Sequence, residues 1–183
     1  MELKADYETM IRTNLSEYLG RKGEVDERLP EAPDIEALWG KIGESYLPDA
    51  IREFNTYPTV ALGWVMYVGM AVAKFWDEDW ERYQKEEDLY TSLRDKSGFD
   101  HLDDYVRGEV LRLDDAGAEK LQAVVREASA RVYGLMCRLN LEPGTESAFR
   151  AFVAALHQMY LMGAAMQLRR MGYHMTQLGG GHD

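Results

Sequence analysis

The chain has a single cysteine, Cys137, so no disulfide can form within it. The residues around it (Val132, Leu135, Met136, Leu139) are apolar at helical spacing, and an inert buried thiol is expected there. Clusters of basic residues are missing too. The densest groups are the dipeptides Arg21-Lys22 and Arg169-Arg170, against a formal net charge of −11. A body of that charge repels a phosphate backbone, which argues against a nucleic-acid partner, and it is equally unsuited to an anionic membrane surface. No Gly-rich phosphate loop, nucleophile elbow, Cys-x-x-Cys pair or zinc-ligand spacing occurs. No alternating run is long enough for a strand, and no repeat of 20–50 residues stands out. The first residues (MELKADYETM) lack the apolar core of a signal peptide, so a cytoplasmic location is expected.

What is present is helix. With 183 residues, 46% of them hydrophobic and 11% aromatic, the chain can fill one core. A single domain over residues 1–178 is expected, with a flexible tail at 179–183. Leu3, Tyr7, Met10, Ile11, Leu15, Tyr18 and Leu19 form the apolar stripe of a first helix, stopped at Gly20. A polar linker with Pro30 and Pro33 follows, then Asp34 as a helix cap before Ile35, Leu38, Trp39, Ile42 and Tyr46. Pro48 should break that helix before a short one holding Ile51 and Phe54. Pro58 opens a long helix to about Lys85. Further helices are expected from about Leu89, after Asp100, and after Asp114 or Asp115, and a last long one follows Thr145. The fold class is all-α, an irregular bundle of about six to seven helices.

Residues 58–73 and 151–168 carry no formal charge, so every charged residue of the chain lies outside them. Helices apolar on all sides are buried on all sides or lie in lipid. At 1.5 Å per residue the tracts span ~24 and ~27 Å, short of a ~30 Å hydrocarbon core, and the second contains His157, Gln158 and Gln167. Burial is therefore expected rather than membrane insertion. Small residues (Gly63, Gly69, Gly163, Ala164) would let the two helices approach closely as a central pair. Any part left uncovered would serve a homo-oligomer interface, a dimer being the commonest form.

Several side chains are candidates for chemistry. Trp64 and Tyr67 on one tract, with His157 and Tyr160 on the other, could line a ligand cavity between them. Asp77 lies four positions beyond Ala73, on a face expected to be half-buried, with Lys74, Arg169 or Arg170 as basic partners. The alternative for His157 is a core or interface histidine bonded to a neighbour. No Asp or Glu precedes any histidine by three, which excludes a di-iron bundle. Glu78-x-x-Glu81 and Asp100-x-x-Asp103 are two i, i+3 acidic pairs that could hold Mg²⁺ through carboxylates. Their spacing resembles the E-x-x-E … E-x-x-D pattern of all-helical nucleotide pyrophosphohydrolases. Asp100 stands where that family has Glu, however, and no basic phosphate-binding motif accompanies the pairs. With 32 acids in the chain, such pairs also arise by chance.

Residues 57–80 (YPTVALGWVMYVGMAVAKFWDEDW), 97–111 (SGFDHLDDYVRGEVL) and 162–175 (MGAAMQLRRMGYHM) resemble a family of uncharacterised bacterial helical proteins of this length, a domain of unknown function. The resemblance implies an all-α fold in a bacterial cell and carries no activity or site residues. The expectation for function is a cytoplasmic helical interaction or scaffold protein, self-associating, without catalysis and without a cofactor. The alternatives are a binding module for a small apolar or amphipathic ligand and a Mg²⁺-dependent hydrolase of the pyrophosphohydrolase kind. A further protein or small-molecule partner is left open.

Overall fold

The computed structural model describes residues 6–27, 29, 32–83, 85 and 88–172; the expected tail at 179–183 lies outside them. The described residues form eight α-helices and no strand: α1 (Tyr7–Arg21), α2 (Pro33–Ala37), α3 (Trp39–Phe54), α4 (Pro58–Tyr83), α5 (Leu89–Ser97), α6 (Leu102–Tyr105), α7 (Asp115–Arg138) and α8 (Glu146–Arg170). A 3-10 turn (Phe99–His101) leads into α6, and a π-helical turn (Val106–Val110) continues it. The architecture is the all-α bundle the periodicity implies.

The two charge-free tracts are the middle of the bundle. In α4 every residue from Ala61 to Ala73 except Trp64 is buried, and α8 is buried almost continuously from Ala151 to Leu168. The helices cross antiparallel at two glycines. A Cβ on Gly69 would overlap the Tyr160 carbonyl, and one on Gly163 would overlap the Met66 carbonyl. Only glycine admits so close a backbone approach. Gly63 instead faces α7, at Val125 and Ser129. By length and composition alone α4 could cross a membrane, but two-thirds of its most apolar window is covered by other helices. Helix α8 supplies most of that cover, followed by α7 and α3.

The helix ends show where local signals were sufficient. Asp6, Asp88, Asp114 and Thr145 cap α1, α5, α7 and α8 by accepting from backbone N–H groups three residues on. Elsewhere the chain departs from expectation. Helix α1 runs on to Arg21 and closes through Gly23 in the left-handed region (φ 74°). Asp34 is not a cap, since Pro33 already opens α2. Pro48 does not end α3. Its ring is on the exposed face, so the carbonyl it leaves without a partner meets water, while Tyr46, Asp49 and Ala50 hold the buried face on either side. The break falls earlier, at Leu38, and divides α2 from α3.

Candidate functional site

A large hollow among the described residues lies away from the crossing of the central pair. It is a groove of about 730 Å³ where the end of α3, the last turns of α7 and the first turns of α8 meet. Ile51 and Phe54 come from α3, Tyr133, Met136 and Cys137 from α7, and Ala148, Phe149 and Phe152 from α8. The turn between α7 and α8, with Leu141, Pro143 and Gly144, forms one end. Phe54 anchors the floor, its ring 4.7 Å from Phe152 and 6.0 Å, edge-on, from Tyr133. Ile51 and Phe149 are 43% and 47% exposed, two of three large apolar side chains left that open among the described residues. Glu146 is the one charged residue of the lining. It occupies the first turn of α8, where the helix dipole offsets a negative charge.

Cys137 lines this groove and is exposed. The expectation of a buried thiol is corrected here. Full burial along α7 ends at Val132. The stripe itself packs on the core, fully at Val132 and partly at Leu135, Met136 and Leu139, and Cys137 falls on its exposed side.

The candidates on α4 and α8 separate into two places. Trp64, Tyr67 and Asp103 share a small cleft of about 180 Å³ between α4, α6 and α7, with Gln122 and Arg126 on its α7 wall. The indole Nε1 of Trp64 donates to the Phe99 carbonyl (2.8 Å), and the Trp64 and Tyr67 rings meet edge to face, 6.1 Å apart. Behind them lies Arg107, which is buried. It donates to the Tyr67 hydroxyl (2.8 Å) and to Asp104 (2.6 Å), and stands 3.4 Å from Asp103. Burial lifts the Asp103 carboxyl above its ordinary value. The Asp104 charge adds to the lift, and the Asp104 backbone N–H and Arg107 offset only part of it. Burial likewise raises the Tyr67 hydroxyl, and Arg107 moderates the rise.

His157 and Tyr160 point elsewhere, toward α1 and α2. The His157 ring stacks on Trp39 (5.1 Å, 15°), with Nδ1 3.0 Å from a Glu8 oxygen and Nε2 3.3 Å from a Glu36 oxygen at an angle too oblique for a hydrogen bond. Next to it Gln158, 1% exposed, donates to Glu8 (2.6 Å) and accepts from Arg12 (3.1 Å). Tyr160 donates to the Ile35 carbonyl (2.7 Å), and burial drives its hydroxyl far above the usual range. This is a clamp holding α1 and α2 to α8. No ligand cavity separates α4 from α8, because their backbones touch at Gly69 and Gly163.

The acids fare differently. Asp77 is exposed rather than half-buried. The basic groups expected near it pair with other acids: Lys74 with Glu78 (3.6 Å), Arg169 with Asp26 (2.9 Å) and Arg170 with Glu24 (3.1 Å). Both acidic pairs are split by helix breaks. The backbone of α4 leaves helical geometry at Asp79, whose carboxylate caps the final turn by accepting from Arg82 N–H (3.3 Å), so Glu78 and Glu81 are on separate pieces. Asp100 belongs to the 3-10 turn and Asp103 to α6, so Asp100 is not the helix cap expected. Among the described residues no three His, Cys, Asp or Glu side chains gather to hold a metal ion. These broken pairs do not supply the clustered carboxylates that a Mg²⁺ centre needs.

Two buried charges were missed by the sequence reading. Asp49, 6% exposed, accepts from Tyr90 (2.5 Å), Arg94 (3.0 Å) and Arg52 (2.8 Å). Burial pushes its carboxyl up, but the Tyr90 and Arg94 hydrogen bonds and the Arg94 and Arg52 charges outweigh that and hold it below its ordinary value. Its position on the Ile42–Tyr46 stripe of α3 was a legible signal. Arg107 shares the inner side of the π turn with Val106 and Val110, and a stripe traced through apolar residues alone passes over a charged one.

No protein-family model matches the chain, and no curated protein or solved structure is detectably similar to it.

Proposed function

We propose that this is a cytoplasmic helical protein that works by binding, and that its binding element is the groove between α3, α7 and α8. The observation that carries the reading is an apolar, aromatic-floored groove of about 730 Å³ flanked by exposed Ile51 and Phe149. Pockets that enclose small molecules are typically ~300–1,000 Å³ and largely apolar. The occupant is a small apolar or uncharged amphipathic molecule. A long-chain carboxylate is disfavoured by Glu146 on the lining and by the net charge of −11. The resemblance to bacterial helical proteins belongs to the same proposal and adds no ligand.

The test is a fluorescence titration of the whole chain with N-phenyl-1-naphthylamine, an uncharged apolar dye. A saturable rise in emission is expected, reversed by decanol more effectively than by decanoate, and lost in Ala148→Trp, which fills the groove. Emission that does not saturate, or that is unchanged in Ala148→Trp, overturns the reading.

Self-association is the second reading, favoured by the same two exposed side chains. Light scattering on a sizing column separates the two. A dimer that dissociates in Phe149→Asp supports self-association, and a monomer in both proteins supports the small-molecule reading.

A further inference from the structure

The α4/α6/α7 cleft has the makings of a second site, independent of the groove. Its floor is two aromatic rings at a steep angle, Trp64 and Tyr67 (75° between planes). On its α6 side Asp103 and Asp104 share one guanidinium, that of Arg107, which leaves one negative charge in excess. On the α7 wall Arg126 and Gln122 reach the cleft, and neither enters a hydrogen bond or ion pair among the described residues. The Tyr67 hydroxyl, on a residue 1% exposed, accepts from Arg107, and its own proton has no acceptor among the described residues.

The signs select the ligand. A simple anion meets Asp103 and the acidic surface of the protein; a simple cation meets Arg126. A molecule carrying both charges satisfies both walls, with its cationic end beside Asp103 and the partly exposed Trp64 ring, whose face attracts ammonium groups; the Tyr67 ring already lies under the Arg107 guanidinium, 5.4 Å away. The size selects too. A cleft of about 180 Å³ holds the volume of roughly six water molecules, which suits an amino acid and excludes a nucleotide.

We infer that the cleft binds a small zwitterion of amino-acid size, its ammonium directed to Asp103 and the Trp64 ring, its carboxylate to Arg126. Burial of Asp103 is then in keeping with a carboxylate that gains its full partner only when the ligand arrives.

Isothermal titration of the full chain with trimethylglycine and with L-alanine tests this, with acetate and tetramethylammonium as single-charge controls. At least one zwitterion is expected to bind saturably in the millimolar range, about tenfold or more tighter than either control. Arg126→Gln alters only an exposed side chain and keeps the fold intact; it should weaken binding about tenfold, and Asp103→Asn should do the same. Quenching of Trp64 emission should track the heat. The proposal is overturned by the absence of saturable heat with both zwitterions. It is also overturned by a control that binds as tightly, or by unchanged affinity in Arg126→Gln.

Discussion

Gly69 of α4 lies directly against the main-chain carbonyl of Tyr160 in α8, so closely that the position has no room for a β-carbon, and the same carbon would be 3.1 Å from the Ala164 nitrogen. The obstacle is backbone on a helix buried along most of its length, so it cannot swing aside. Gly69→Ala should therefore force the central pair apart and destabilise the protein by about 3 kcal/mol, the upper part of the range for overpacked cores. For a chain of this size that is a fall in melting temperature of roughly 6–12 °C. Gly163→Ala, against the Met66 carbonyl, should behave alike, whereas Gly20→Ala, with open space around it, should not lower stability. Calorimetric melting of the three variants checks this.

The Asp49 network ties α3 to α5 and should give stability a specific pH dependence. Because the folded protein holds the Asp49 carboxyl below its ordinary value, the carboxylate contributes stability that is present above pH 3.8 and is lost as pH falls through the lower folded value. Asp49→Asn should cost about 2 kcal/mol at neutral pH, the scale of a hydrogen bond to a charged group, and should flatten the acid end of the curve. Urea unfolding midpoints measured from neutrality into acid would show it.

Asp103 has the opposite sign. Its folded carboxyl titrates above the ordinary value, so its contribution is full below pH 3.8 and disappears as pH rises through the folded value. Asp103→Asn should accordingly leave stability at neutral pH unchanged or improved, and its acid profile should differ from wild type in the direction contrary to Asp49→Asn. The same urea series, run on both variants, separates the two carboxylates.

Removing Arg107 should be severe. Its guanidinium serves the Tyr67 hydroxyl, Asp103 and Asp104 at once from a buried position on the π turn. Arg107→Ala leaves these groups without their partner, and breaking a buried pair from one side costs about 3–5 kcal/mol. Arg107→Lys should recover only part of that loss, since a single ammonium cannot reproduce the planar fork. Denaturant unfolding of both variants provides the comparison.

The parts of this fold that were legible from sequence are those set by the neighbours of each residue along the chain. Charge-free residues 58–73 and 151–168 announced a buried central pair, and Asp114 and Thr145 announced helix starts. The misses are set by distant contacts. Pro48 stays inside α3 because Tyr46 and Asp49 are anchored on other helices, Tyr46 by donating to the Ala61 carbonyl (2.6 Å). Asp79 interrupts α4 and so undoes the Glu78-x-x-Glu81 spacing, which assumed an unbroken helix. Trp64, Tyr67 and Asp103 were each named as candidates, but their meeting in one cleft depends on how α6 packs on α4. The groove at Phe149 was invisible because an apolar stripe reads the same whether or not a helix covers it.

The groove is tested most directly by its own cysteine. Cys137 is the sole thiol of the chain, exposed and on the lining, so its reaction with 5,5′-dithiobis(2-nitrobenzoate) reports occupancy at that place alone. Saturating decanol should slow the reaction several-fold in the wild type and leave its rate in Ala148→Trp unchanged. A wild-type thiol that reacts equally fast with and without decanol, under conditions where the dye is displaced, would contradict the groove as the binding element.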